Sequence, residues 1–272
     1  MPVIETQDLS MHYELLGDVH NPPALLLAGL GGAGKTWGAV VDRFAKEYFV
    51  ILPDQRGTGM SSRPEGGYTT ARIAADMALL VAELNMGPCH IVGSSTGGAI
   101  AQMMALNHPQ TVRSLTLASS FARFDDFMTR EFSVRRRMMA ESDPETVHSL
   151  YALFLFSPRY THEHPEAVEA WVVKASSAPA EREVSLKRID MVMRHDALSR
   201  LNTIRQPTLV MCGDHDFCTP LPMSEELAQS IPGAELVVLS GAGHMAHYEQ
   251  EDLFFSIAHD FIRGHREIGR RW

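Results

Sequence analysis

Apolar residues follow two rhythms along this chain, and the change between them predicts its architecture. Short runs at Ala24–Ala28, Tyr48–Leu52, Cys89–Val92, Val112–Ala118, Pro207–Cys212 and Ala234–Leu239 read as strands, and the wholly apolar Ala24–Ala28 is what a sheet covered on both faces requires. Helical patterns separate them at Lys35–Glu47, Tyr68–Leu84, Gly98–Asn107 and Pro222–Ser230, and Glu249–Arg263 forms the last long helix. The first of these has Trp37, Val40, Val41, Phe44 and Ala45 on its apolar side, and the second has Thr69 or Thr70 as its cap. Val3–Thr6 and Met11–Leu16 read as a hairpin joined near Gln7 and Asp8. Strand and helix alternate from Ala24 to Ala118, which predicts a mostly parallel sheet with right-handed crossovers.

The rhythm breaks after the sixth strand. Residues 121–203 hold no convincing central strand, but carry Phe121, Phe124, Phe127, Met128, Phe132, Met138, Met139, Tyr151, Phe154 and Phe156. Helical segments are expected over 124–140, 144–156, 164–176 and 180–194, broken by Pro158, Pro165 and Pro179. The predicted organisation is an α/β core from 1–120 and 204–272 with a helical cap at 121–203. The polar, basic tail from Gly264 to Trp272 is expected to fray.

Composition narrows the function classes. The chain has 272 residues, 45% of them apolar, which suits one substantial domain with an insertion and argues against disorder. Its net charge is -9, from 33 acidic and 24 basic residues, so nothing favours nucleic acid as a partner. The one sharp basic cluster, Arg135-Arg136-Arg137, reads as a solvated helix face. No basic segment followed by an apolar one opens the chain, and no apolar run approaches the roughly 20 residues of a membrane span, so neither a signal peptide nor a membrane is expected. Cys89, Cys212 and Cys218 fit no metal box and read as free thiols in a reducing, cytoplasmic compartment.

Two glycine-rich loops offer chemistry. Gly29-Leu30-Gly31-Gly32-Ala33-Gly34-Lys35-Thr36 has the spacing of a phosphate-binding loop, and follows a strand and precedes a helix as such a loop does. That reading leaves the second loop unexplained. Gly93-Ser94-Ser95-Thr96-Gly97 joins an apolar strand to a helix, with a glycine two residues to each side of Ser95, the pattern of a nucleophile elbow. An alcohol needs a base, and the base needs a third group to hold it. Gly213-Asp214-His215-Asp216 and Gly241-Ala242-Gly243-His244 both follow strands, and open parallel sheets place their sites past the carboxyl ends of strands. Asp214 competes with Asp216 for the carboxylate role, and His215 and His247 compete with His244.

These motifs, with the Asp-x-Arg-Gly-x-Gly-x-Ser loop at 54–61, resemble the α/β-hydrolase superfamily from Met11 to Ile262. Within it the chain is similar to the enol-lactonase and small-ester hydrolase branch. The resemblance implies Ser95 as nucleophile, His244 as general base and acid, Asp216 as the group orienting His244, and the N–H groups of Leu30 and Thr96 as the oxyanion hole. It gives the Asp54–Ser61 loop a scaffolding role. Ala28 departs from the pattern, since relatives often carry histidine there. A serine at the elbow disfavours epoxide and halide chemistry, which uses a carboxylate. The expected substrate is a small carboxylic ester or lactone, handled by a monomer or homodimer without metal or organic cofactor. A carbon–carbon bond hydrolase of diketone-type ring-cleavage products is the runner-up, and a non-catalytic small-molecule binding protein is the alternative from another class.

Overall fold

The computed structural model describes residues 2–177 and 182–265. The core strands are β1 (Val3–Glu5), β2 (Ser10–Leu16), β3 (Pro23–Leu27), β4 (Phe49–Pro53), β5 (Cys89–Ser94), β6 (Val112–Ala118), β7 (Thr208–Gly213) and β8 (Glu235–Leu239). They form one sheet in the order β1-β2-β4-β3-β5-β6-β7-β8. The β1–β2 and β2–β4 pairs are antiparallel, and every pair from β4 through β8 is parallel. The chain crosses the sheet after β4, so the loops after β3 and β5 open side by side at one end.

Alternate strand residues feed two cores. Leu25, Leu27, Ile51, Ile91, Leu115 and Leu117 face one side, packed on α2 (Thr70–Glu83) and α3 (Thr96–Asn107). Ala24, Leu26, Val50, Leu52, Val92 and Leu209 face the other, packed on α1 (Val40–Glu47) and on α11 (Glu251–Gly264). Both faces are covered, which is why these strands carry unbroken apolar runs.

Among the described residues, five α-helices intervene between β6 and β7: α4 (Asp126–Glu141), α5 (Pro144–Leu155), α6 (Pro158–Glu163), α7 (Pro165–Ser177) and α8 (Arg182–Met193). The short α6 was not anticipated. Pro158 and Pro165, expected as breakers, instead open helices, where the missing N–H costs nothing. Asp125, Asp143 and Ser157 cap α4, α5 and α6 by accepting the N–H groups of Met128, Thr146 and Tyr160. Pro179, the start of the segment expected at 180, and residues 266–272 of the tail lie outside the described residues. After β7 come α9 (Leu221–Ser230), then β8 and the short α10 (Ala246–Glu249).

Two expectations need correction. The helix expected over Lys35–Glu47 is split: Gly34–Trp37 is a 3-10 turn, Gly38 takes φ +65°, and α1 begins at Val40. The basic triplet is not one solvated face. Arg136 and Arg137 are exposed, but Arg135 is 3% exposed because Met128, Glu131, Phe132 and Arg135 form the inward stripe of α4. For α2, Thr69 is the cap, accepting the Arg72 N–H at 3.0 Å. No helix among the described residues is long and apolar enough to cross a membrane.

The 54–61 loop is anchored by a buried ion pair. Arg56, with no exposed surface, donates Nε to Asp76 Oδ2 at 2.9 Å and Nη2 to Asp76 Oδ1 at 3.0 Å, and reaches Asp8 with Nη1 at 2.9 Å. Removing one member of a buried pair leaves the other charge uncompensated. Asp76→Ala is therefore expected to lower the unfolding free energy by about 3–5 kcal/mol, seen as a drop in the urea midpoint at unchanged m-value; a drop within the error of the melt would contradict the anchoring role.

Candidate active site

The site lies at the ends of β3, β5, β7 and β8, on the edge that carries their carboxyl termini. Ser95 sits between β5 and α3 with φ 54° and ψ -118°, a conformation that side-chain-bearing residues rarely adopt. Hydrogen bonds with β6 and the residues just after it hold it there. Its N–H donates to Ala118 O at 2.8 Å, and Ser120 Oγ donates to its carbonyl at 2.8 Å. The flanking glycines are required by contact. A Cβ at Gly93 would lie 2.5 Å from Gly97 O, and one at Gly97 would collide with the Leu27 carbonyl. The helix behind Ser95 therefore runs directly against β3.

The loop after β3 closes on the serine from the other side, since a Cβ at Gly29 would stand 3.4 Å from Ser95 Cβ and 3.9 Å from its Oγ. Among the described residues, the N–H groups of Leu30 and Thr96 have no hydrogen-bond acceptor. Two unsatisfied donors beside a hydroxyl are what a developing oxyanion requires. Three of the loop's other donors are engaged. Gly32 N–H donates to Gly29 O, Gly34 N–H to Asp54 Oδ1 at 2.9 Å, and Thr36 N–H to Ala33 O. A phosphate cradle would need those three groups free, and the loop instead packs Gly29 against Ser95.

Asp216 and His244 meet across the β7 and β8 loops. His244 Nδ1 is 2.9 Å from Asp216 Oδ2 and 3.0 Å from Oδ1. The carboxylate also accepts the N–H groups of Cys218 at 2.9 Å and Thr219 at 2.7 Å, and the Thr219 hydroxyl at 2.8 Å. Both residues are 3% exposed. Burial alone would disfavour the imidazolium, but the adjacent Asp216 charge outweighs it and raises His244 well above the ordinary histidine value. Among the described residues, no hydrogen bond joins Ser95 Oγ to His244. The competitors serve other ends. Asp214 holds the following turn through the Gly241 N–H at 2.6 Å and Ser240 Oγ at 3.2 Å. His215 is exposed. His247 is buried against Trp37 and Phe254 and pushed down to about 3 by burial, so it packs as a neutral ring.

Residues that sequence reasoning missed support both loops. Gln55 Nε2 donates to Ala28 O at 2.8 Å, bracing the loop at the position where relatives often carry histidine. Arg188, buried in α8, donates Nε to Leu30 O at 2.9 Å, Nη1 to Arg56 O at 3.1 Å and Nη2 to Gln55 Oε1 at 2.7 Å. Glu249 accepts the Gly243 N–H at 3.1 Å, the Ser157 N–H at 2.8 Å and the Ser157 hydroxyl at 2.7 Å, while Met245 N–H donates to Leu155 O at 2.9 Å. The cap thus grips the loop after β3 and the chain on either side of His244. A cation amid apolar residues, Arg188 beside Ile189, Met191 and Val192, was the one signal in the sequence for the first grip.

Comparison with known proteins agrees with this architecture. The family profile described as alpha/beta hydrolase fold matches residues 22–251. A relative from Azorhizobium caulinodans, named putative carbamate hydrolase RutD, is 33% identical over 93% of this chain and 95% of its own length. The solved structure of Est816, described as an N-acyl homoserine lactone degrading enzyme, superposes with a TM-score of 0.82 at 26% identity, covering 97% of this chain and 99% of that one. The enol-lactonase of Burkholderia xenovorans superposes with a TM-score of 0.88 over 96% of this chain and all of its own (100%), and at 24% identity it speaks for the fold alone. The sheet order, the helical insertion after β6 and the match across residues 22–251 make one conclusion: the chain belongs to the α/β-hydrolase fold family.

Proposed function

We propose that this protein is a serine hydrolase that cleaves a small carboxylic ester or lactone through an acyl-enzyme, with Ser95, His244 and Asp216 as its triad. The observation that carries the reading is the buried Asp216–His244 pair, 2.9 Å apart, at the sheet edge where a positive-φ serine opens α3. With Nδ1 committed to Asp216, Nε2 is the nitrogen left to accept a proton. Ser95 Oγ attacks the carbonyl carbon as its proton passes to Nε2. The carbonyl oxygen takes the negative charge and is met by the Leu30 and Thr96 N–H groups. The carbon–oxygen bond then breaks, and the leaving alkoxide takes the proton from His244; in a lactone it stays tethered to the acyl group. Water then gives His244 a proton as its oxygen attacks the acyl carbon, the bond from that carbon to Ser95 Oγ breaks, and His244 returns the proton to Ser95 as the acid leaves. All three residues are more than nine-tenths buried.

A carbamate is the second reading. Its carbonyl would follow the same steps, and a 33% identical relative is named for that substrate. A fluorophosphonate is expected to label Ser95, and Ser95→Ala is expected to lose labelling and to lower kcat by about 10⁶-fold, the scale of nucleophile loss in serine hydrolases. The labelled protein's preference is then read on p-nitrophenyl esters, lactones, aryl carbamates and vinylogous diketones. Turnover confined to diketones would transfer the chain to carbon–carbon bond hydrolysis. Absence of labelling and of all turnover would leave a binding protein on a hydrolase scaffold.

The pH dependence has a definite sign. The base must be neutral, and the folded pKa of His244 is raised, so kcat/KM is expected to climb with pH through a limb alkaline of about 6.5. Asp216→Asn is expected to shift that limb down and reduce kcat by about 10⁴-fold. The same raised value contributes stability that is complete below about 6.5 and is lost as pH rises through the folded pKa. A limb unmoved by Asp216→Asn would argue against the pairing as the source of the shift.

A further inference from the structure

Beside the Asp216–His244 pair lies a second polar cluster that the proposed reaction does not use. It is formed by Glu131 and Arg135 of α4, Tyr151 of α5 and Cys218 from the loop after β7, and all four are more than nine-tenths buried. Arg135 Nη1 donates to Glu131 Oε1 at 3.2 Å and to Cys218 Sγ at 3.0 Å. Its guanidinium carbon lies over the Phe132 ring, 4.6 Å from its centre, and over the Tyr151 ring, 4.1 Å from its centre. Cys218 is two residues past Asp216 and adjoins His244, and Glu131 is close enough to feel the charges of both His244 and Asp216.

What distinguishes the cluster is what it leaves unpaired. Glu131 Oε2, Arg135 Nε and Tyr151 Oη are buried with no hydrogen-bond partner among the described residues. Buried polar atoms are nearly always paired, and orphaning three in one place is costly to the fold. The pairing that exists is also weak, since a 3.2 Å single contact is long for a charge-assisted bond. Burial pushes the Glu131 carboxyl up to about 7, so near neutrality it compensates the guanidinium only in part. The edge of Arg135 that carries Nε and Nη2 is the side-on fork that receives a carboxylate with two parallel bonds. Among the described residues, no hydrogen bond uses it.

We infer that Arg135 and Tyr151 form a recognition subsite for an anionic group, a carboxylate carried by the ester or lactone substrate away from its reacting carbonyl. The Arg135 fork takes the carboxylate, the Tyr151 hydroxyl donates to it, and the single long contact from Nη1 to Glu131 leaves the Nε–Nη2 edge free for it. This deepens the proposed hydrolase reading and rests on it.

The test uses two matched pairs of esters on the full-length protein. In the first, p-nitrophenyl butyrate and mono-p-nitrophenyl adipate, the carboxylate is on the acyl side. In the second, phenyl acetate and 3-acetoxybenzoate, it is on the alcohol side. The expected result is that kcat/KM favours the anionic member of one pair by about tenfold or more, the range of a hydrogen bond to a charged group. Arg135→Gln is expected to bring that ratio to parity and Tyr151→Phe to reduce it several-fold, while Glu131→Gln keeps or raises it. The ratio is the readout, so a general loss of rate in a variant does not mimic the effect. If Arg135→Gln fails to fold by circular dichroism, Tyr151→Phe and Glu131→Gln carry the comparison. Turnover with no anionic preference in either pair, or a preference that survives both Arg135→Gln and Tyr151→Phe, overturns the subsite and leaves the hydrolase reading standing. No turnover of any ester, with Ser95 unlabelled by fluorophosphonate, overturns the hydrolase reading and the subsite with it.

Discussion

Everything at the reacting end of this protein depends on how closely α3 approaches β3. The Gly97 position leaves no room for a side chain against the Leu27 carbonyl, and the Gly93 position faces the Gly97 carbonyl. That contact forces the chain to turn within one residue. Ser95 takes up the turn with φ 54°, which costs on the order of 1–3 kcal/mol for a residue with a side chain. Bonds from Ser95 N–H to Ala118 and from Ser120 to the Ser95 carbonyl offset the strain. The consequence is chemical. The hydroxyl stands at the loop after β3, at the start of a helix whose first N–H has no intrahelical acceptor.

The cap is more than a cover over this arrangement. Through Arg188 it holds the Leu30 carbonyl, and so the plane of the peptide next to one proposed oxyanion donor. Through Leu155 and Ser157 it is bonded to the chain around His244, with Glu249 as the intermediary. Displacing the cap would therefore disturb both loops at once. Arg188 does this while bonded only to neutral acceptors, and burial pushes its guanidinium down to about 10. A cation so placed also adds positive potential beside the loop that would receive the oxyanion.

The fold was legible because its central strands β3, β4 and β5 are buried on both faces and so carry short, nearly unbroken apolar runs between glycine- and proline-rich turns. The same logic failed at Lys35–Glu47, where the apolar side of a helix was continuous in sequence but Gly38 turns the backbone to φ +65°. It failed again at Arg135, because a buried stripe that mixes Met128 and Phe132 with Glu131 and Arg135 has no hydropathy signature. The meeting of residues 216 and 244 could be anticipated from where each stands, just past its strand. The supports could not. Gln55 and Arg188 are 133 residues apart, and Ser157 and Glu249 are 92 apart, so only the assembled chain makes them neighbours.

The central claim is that the chain passes its substrate's acyl group through Ser95. Rapid-quench mass spectrometry during turnover of a slow ester addresses it directly. The account predicts a transient adduct of the acyl mass, mapped to the peptide containing Ser95, that forms before product release, decays with it, and is absent in Ser95→Ala. Hydrolysis that proceeds at full rate with no adduct at any time, or an adduct mapped to Cys218 instead, would contradict it.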